Sequence, residues 1–533
     1  VSKKSGSYYT PENLANFIVK YVQENNFFSN EPIHILEPSC GDGAFLKAIS
    51  QHFSEKNISI DAIDFDTCAI EKIRKIVSTL HGEYTVTEAD YLDWSVKTDK
   101  RYDLVIGNPP YISKKLLTED QKESCKSIHA KNGDFGAEIH NIWTSFLCDG
   151  IEKLTAEGTL AFVLPAEILK VKFGEKIQRA LLKSFQRIEI FTFSKNVFPN
   201  IEQDTVILFL YKQSNEEGLY FTTIHGTNCL INNRFKLKRK RSLEAMKLKW
   251  SAYPLMEKQI KSVVSLKKKL PPIISYCETV PGIVTAANDY FIVNKSVMDE
   301  FELEALSKPI VQKGIFVNGC VSLSKDKFKS LIDKDKPTYF LDLSQADLTN
   351  QKHKNYISIG KQRKIDERYK CTLRDKWYEV PGAWVSDGFF FKRCHDYPKF
   401  IYNDADALVT DSSYRIKMKD GYDIRSLIFS FYNSLTLAFS EVQGRYYGGG
   451  VLELTPSEFK SLPIPYMQVT TDQFNEFVEA FHSKKCIDEI IERNDAILLS
   501  TQLGMTDDAI EALKAVRKTL MDRRQNISKS QFS

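Results

Sequence analysis

Apolar positions along this chain fall into two rhythms, and their alternation predicts a layered fold. Leu14, Phe17, Ile18, Tyr21 and Val22 recur at helical spacing behind Thr10, Pro11 and Glu12, a good helix start. Short runs of strand length follow: HILE, ISIDAID, YTVTEADY and DLVIG, the last spanning Asp103–Gly107. A helical pattern follows each of the first two, in LKAIS and AIEKIRKIV. Strands alternating with helices predict an α/β domain built on a parallel sheet. The pattern continues with a helix over 139–154, the strand TLAFVLP, a helix over 173–185, then RIEIFTF and the wholly apolar TVILFLY. Between them, Ser113–Gly136 is polar and Lys-rich without a clear period and reads as a mobile loop.

Beyond Tyr220 the text changes. A basic run, Arg234–Ser242, reads as linker, where a solvated turn and a phosphate contact are equally good accounts. From about Ser275 strands and aromatics dominate, with Arg and Lys interleaved among Trp and Tyr in a pattern that suits phosphate contact and base stacking. From about Thr471 the chain is polar and helical. The predicted division is a catalytic domain over 1–220, a linker over 221–274, a recognition domain over 275–470 and a helical segment over 471–533.

Charge sharpens that division. Up to Tyr220, 25 Lys and Arg stand against 31 Asp and Glu; the remainder holds 48 against 38, so a net charge of +4 hides −6 followed by +10. An acidic part joined to a basic part points to chemistry in the first and a polyanion for the second. No apolar run is long enough to span a bilayer and no signal peptide opens the sequence. Ten cysteines without a C-x-x-C pair indicate neither a zinc site nor a disulfide framework, so no metal is expected and a cytoplasmic setting fits.

Candidate chemistry gathers at the predicted strand ends, where open parallel sheets bind ligands. Glu37 precedes a turn in which Gly41 and Gly43 permit close approach to the backbone, although neither a G-x-G-x-x-G nor a P-loop is present. Asp64, ending the second strand, is placed to accept both hydroxyls of a ribose. Asp90 and Tyr91, ending the third, can read an adenine amino group and pack its ring. Then comes Asn108-Pro109-Pro110-Tyr111. Two prolines stiffen this segment, so the Asn108 amide oxygen and the Pro109 carbonyl aim at one point. A planar amino group can donate both hydrogens there while its ring stacks on Tyr111. A Pro-rich turn leaving a strand is the plain alternative. Phe198, in a Val-Phe-Pro turn, is a second stacking candidate or a simple staple.

Taken in order, YYTP, LEPSCGDGAFL, IDFD, ADYLDW, DLVIGNPPY, NIWTSFL and VFP resemble the motif series of the gamma-group DNA adenine-N6 methyltransferases of restriction–modification systems. Segments GIVTAANDYF and GRYYGGGVLEL resemble the target-recognition domain that follows the core in that family. The resemblance implies a seven-stranded Rossmann-like core, S-adenosyl-L-methionine as methyl donor, and a mixed α+β recognition domain. It places Thr10, Glu37, Gly41 and Gly43 around the methionine end, Asp64 at the ribose, Asp90 and Tyr91 at the adenine, and Pro110 with Asn108 beside the cofactor. Asn108 and Pro109 would hold the target amine of a base flipped from double-stranded DNA, between Tyr111 and Phe198. A monomer is implied, with any cognate restriction endonuclease acting independently. Trp143 departs from the Tyr common at its position. Glutamine methylation of a protein, adenine methylation of RNA, and a silent DNA-binding subunit remain the alternatives. Intact acids and the Asn-Pro-Pro-Tyr stretch argue against the last.

Overall fold

The computed structural model describes residues 9–529 apart from 27, 132, 137, 195–203, 227–228, 231, 233 and 247. The chain forms two compact units. One comprises 1–261 with 448–450 and 522–533, and the other 262–447 with 451–521.

The first unit is a sheet covered by helices. Its strands are β1 (Ile33–Glu37), β2 (Ile58–Asp64), β3 (Glu83–Glu88), β4 (Tyr102–Gly107), β5 (Leu154–Pro165), β6 (Arg187–Phe193), β7 (Thr205–Tyr211), β8 (Gly218–Ile224) and β9 (Lys238–Arg239). They run in the order β3-β2-β1-β4-β5-β7-β6-β8-β9. Strands β3 through β5 are mutually parallel, while β7 enters antiparallel between β5 and β6. The helices are α1 (Glu12–Asn25), α2 (Ala44–His52), α3 (Thr67–Val77), α4 (Tyr91–Ser95), α5 (Glu119–Lys131), α6 (Trp143–Glu152) and α7 (Lys172–Ser184). Every apolar position predicted for α1 is buried, and its Phe17 and Tyr21 rings pack 5.8 Å from Phe191 and 4.9 Å from Phe209. Burying side chains of this kind contributes roughly 1.5–3 kcal/mol each.

Three features differ from the sequence reading. Two strands extend the expected seven. Beyond β6, strand β8 pairs parallel with its neighbour and β9 pairs with β8. Leu219 and Phe221 bury their side chains, and Gly218 enters with φ +126°, where a Cβ would meet the Arg239 side chain at 2.4 Å. The added strands cover what would otherwise be an open sheet edge. They also take in part of the basic run: Lys240 is buried and donates to the Leu255 carbonyl at 2.8 Å, and Arg239 pairs with Glu244. Second, the segment read as a mobile loop contains α5. Third, β3 stops at Glu88, and Asp90 instead caps α4 by accepting from Leu92 N at 3.0 Å.

The second unit is mixed α+β. Its strands are β10 (Cys277–Pro281), β11 (Ile292–Val293), β12 (Ser307–Val311), β13 (Tyr339–Leu341), β14 (Gly388–Phe391), β15 (Arg393–Cys394), β16 (Lys399–Tyr402), β17 (Leu408–Val409), β18 (Ser413–Met418), β19 (Arg445–Tyr447) and β20 (Val451–Glu453). They make sheets ordered β10-β18-β14-β16, β11-β13-β12-β17 and β15-β20-β19. Phe389, Phe390 and Phe391, next to the interleaved Trp and Tyr, are core: all three are buried and Phe390 lies 4.3 Å from the Phe459 ring, whereas Trp377, Tyr378 and Trp384 are half-buried and Tyr369 is exposed. Arg374 is structural too, holding the carbonyls of Val284 and Thr285 at 3.1 and 2.9 Å. Helices Thr471–Ser483 and Ile487–Asn494 pack on Ile424–Phe431 through Phe477 on Phe429, 5.2 Å between rings, and Asn494 on the Phe429 carbonyl at 3.0 Å.

Candidate active site

The C-terminal ends of β1, β2, β3 and β4 and the turns that follow them surround one cavity of about 340 Å³. That is within the range of small-ligand sites. The turn after β1 supplies Pro38, Ser39 and Gly41, β2 supplies Asp64 and then Phe65, and the β3–α4 turn supplies Ala89, Asp90 and Tyr91. Asn108, Pro110 and Ile112 follow β4; Leu116 and Gln121 come from the approach to α5 and its first turn; Ile142 and Phe146 come from the start of α6. Tyr9 lies across the glycine turn, so close that a Cβ on Gly41 would sit 3.3 Å from its ring.

Electrostatics at the β2 end are set by backbone amides. Asp64 accepts from Gly41 N at 2.8 Å and from Asp66 N at 2.9 Å, one on each oxygen. Burial pushes its carboxyl above the ordinary value, while these amides pull it down. Each oxygen keeps a second lone pair for a ligand hydroxyl. Glu37 ends β1 fully buried, and its carboxyl is held well above the usual range by burial and by Asp64 and Asp42. Its Oε2 has no hydrogen-bond partner in the protein, which for a buried polar atom calls for a ligand or water.

The β3 end combines a carboxylate with a rigid ring. Asp90 accepts from Leu92 N on Oδ1 and from Gln121 Nε2 on Oδ2, at 3.0 and 2.9 Å. Tyr91 is buried, its hydroxyl donates to Asp149, and its ring lies 4.8 Å from Phe146. Burial beside Asp149 pushes that phenol well above its ordinary value, so it stays a donor. At the β4 end the Ser39 hydroxyl donates to the Asn108 carbonyl at 3.1 Å, tying the glycine turn to the Asn-Pro-Pro-Tyr platform. The Tyr111 hydroxyl lies 2.9 Å from Asn108 Oδ1 and 3.1 Å from the Val163 carbonyl.

Of the predicted residues, Gly41, Asp64, Asp90, Tyr91, Asn108 and Pro110 therefore line one cavity. Thr10, Glu37, Gly43, Pro109 and Tyr111 do not line it. Gly43, at φ +79°, packs toward α3, where a Cβ would meet Ile73 at 2.4 Å. Phe198 lies outside the described residues. Sequence reasoning missed Phe65, Gln121, Ile142 and Phe146. One signal was available for Gln121: Thr118-Glu119-Asp120-Gln121 fits a helix capping box. Among the described residues no cluster of His, Cys, Asp and Glu could hold a metal, and no helix is long and apolar enough to cross a membrane.

Two acids, a glycine turn and the apolar side chains of Phe65, Ile142 and Phe146 thus line one cavity. Comparisons with known proteins identify the domains. Residues 1–263 match the model of the N-6 DNA Methylase family, and residues 247–499 match that of the Type II methyltransferase M.Eco57I, C-terminal domain. Type II methyltransferase M.AccI of Acinetobacter calcoaceticus is 25% identical over 537 residues, covering 93% of each chain. M.HincII of Haemophilus influenzae is 24% identical over 358 residues, 63% of each. In fold, the chain is similar to the Type IIL restriction-modification enzyme MmeI, solved in complex with DNA, with a TM-score of 0.61, 12% identity and coverage of 96% of this chain and 75% of that one. The two matches overlap at 247–263 and together span residues 1–499, so the first part of this chain is an N-6 DNA Methylase domain and the part after it is the C-terminal domain described for Type II methyltransferase M.Eco57I.

Proposed function

We propose that the protein transfers a methyl group from S-adenosyl-L-methionine to the N6 amino group of an adenine flipped out of double-stranded DNA, as the modification enzyme of a restriction–modification system. The observation that carries this reading is the place of Asn108: an amide acceptor at the end of β4, lining the same cavity as the acids that end β2 and follow β3. S-adenosylmethionine, when bound, supplies an electrophilic methyl on sulfur. Asp64 accepts from the ribose hydroxyls, Asp90 from the amino group of the cofactor's adenine, and Tyr91 and Phe146 pack its ring. Thr10, Glu37 and the turn through Gly41 and Gly43 serve the methionine end, with Pro110 beside it.

An adenine amino group is a poor nucleophile because its lone pair is delocalised into the ring. The Asn108 amide oxygen and the Pro109 carbonyl accept its two hydrogens, favour a pyramidal nitrogen and direct the lone pair toward the methyl. The Tyr111 hydroxyl steadies the Asn108 amide. Tyr111 and Phe198 stack on the extruded base and offset part of its unstacking cost. The basic second part binds duplex DNA, the protein acts as a monomer in the cytoplasm, and a restriction endonuclease is a separate protein. Mapping modified adenines in DNA from cells expressing the chain tests the reading. One sequence context carrying N6-methyladenine is the expected result, and DNA left unmodified beside an active methylated RNA or protein would overturn it.

A further inference from the structure

Helix α5 begins on a reciprocal cap. Gln121 N donates to Thr118 Oγ1 at 3.2 Å, and Thr118 N donates to Gln121 Oε1 at 3.2 Å. This fixes which end of the Gln121 amide points where: the oxygen is used by the cap, so the NH2 group faces Asp90, 2.9 Å from Oδ2. One turn on, Ser124 donates to Asp93 Oδ1 at 2.6 Å, and Cys125 is fully buried. Positions 121, 124 and 125 share one helix face. That face therefore docks on the 90–93 turn, and Gln121 lines the cavity there.

We propose that Gln121 is a positioning residue for the cofactor's adenine: by donating to Asp90 it orients the carboxylate that accepts the adenine 6-amino group. The inference rests on the cofactor reading above. Asp90 is pulled from two sides, by Leu92 N on one oxygen and Gln121 on the other, which leaves the plane of the carboxylate no freedom to turn. A carboxylate has about four lone-pair sites, so two remain for a ligand. Gln121 thus cooperates with the amino group and does not displace it. It also joins cofactor recognition to the segment that leaves the Asn108 platform, since α5 follows directly from it.

The test uses the full chain and calorimetry with two probes: S-adenosylhomocysteine, and its analogue with hydrogen in place of the 6-amino group. Gln121→Glu keeps the helix cap, because glutamate serves that position as well as glutamine, but sets a carboxylate against Asp90. Gln121→Ala removes the donor. Thermal melting without ligand confirms that both variants fold. Both should bind S-adenosylhomocysteine about tenfold more weakly than the unaltered protein, the loss expected for one hydrogen bond to a charged group. For the analogue the loss should fall below about twofold, because the contact that Gln121 organises is absent. Equal losses for both probes would overturn the proposal, since they would show only that α5 shapes the cavity. Tighter binding by Gln121→Ala would overturn it differently, showing that Gln121 blocks the carboxylate. If the unaltered protein bound neither probe, the cofactor reading itself would fall, and this inference with it.

Discussion

A broad groove in the second unit and the small cavity at the strand ends of the first differ in kind, and the smaller one is where the chemistry points. In the second unit a groove of about 1070 Å³ runs past Lys313, Arg363, Arg368 and Lys370. Two of its arginines share one acid: Asp289 pairs with Arg363 at 2.5 Å and with Arg368 at 3.3 Å, all three roughly half open to solvent. Such pairs are worth little and exchange readily for phosphates. The cavity at the strand ends of the first unit has a third of that volume, yet its acceptors converge and burial pushes the Asp64 carboxyl above its ordinary value. Convergence and desolvation mark a reaction site; breadth and exposed charge mark a docking surface.

Removing the convergent acceptor should have the largest effect. Asn108→Ala is expected to lower single-turnover methyl transfer by about 10²–10³-fold or more while leaving cofactor and DNA affinity near normal. Phe198→Ala should lose less, and a mismatched partner opposite the target should rescue it in part, because extrusion then costs less. Equal rescue of both variants would show that the stacking and activating roles are wrongly divided. Next comes the cofactor: Asp64→Ala should weaken S-adenosylmethionine binding by roughly 1.5–3 kcal/mol in calorimetry. Unchanged affinity of the folded variant would take the ribose away from Asp64.

On the other side of the comparison, replacing Arg363 and Arg368 together by Ala should weaken duplex binding and reduce the slope of log affinity against log salt by about 1–2. Cofactor affinity should not move. A salt slope equal to that of the unaltered protein would remove the groove from the DNA interface. The smallest effect separates buried from exposed acid. Glu37 has its folded value raised well above 4.5, so its neutral form is the better folded partner. The stability it contributes is complete below about pH 4.5 and is lost as pH rises through the folded value, at up to about 1.4 kcal/mol per pH unit in that window. Glu37→Gln should flatten the melting temperature across that window, whereas parallel curves for the two proteins would place Glu37 at its ordinary value.

Periodicity made the first unit legible. Acids and amide were placed at strand ends because an alternating β/α text brings those ends to one edge, and six predicted residues do share a cavity. Helix α5 was hidden because its apolar face is short, with Cys125 and Ile128 as its buried anchors, and its start is announced only by a cap. Strands β8 and β9 were hidden for another reason: Leu219 and Phe221 alternate over too few residues to be told from a loop edge. In the second unit, composition does not sort core from surface. Phe389–Phe391 stand in the same aromatic text as the Trp and Tyr read as stacking candidates, and they are core because β14 pairs with partners far away, β16 and β18.

The bond from the Ser39 hydroxyl to the Asn108 carbonyl has an evolutionary consequence. It joins the ends of β1 and β4, which are neighbours in the sheet but separated in sequence by two whole strand–helix excursions. What brings the glycine turn and the Asn-Pro-Pro-Tyr segment together is lateral pairing, and no connecting loop is needed to measure the gap. A gene in which the β4 stretch were written ahead of β1 would still fold them side by side. Order along the chain is thus free to be reshuffled, by permutation or by splitting into two polypeptides, provided that the two strand ends stay adjacent.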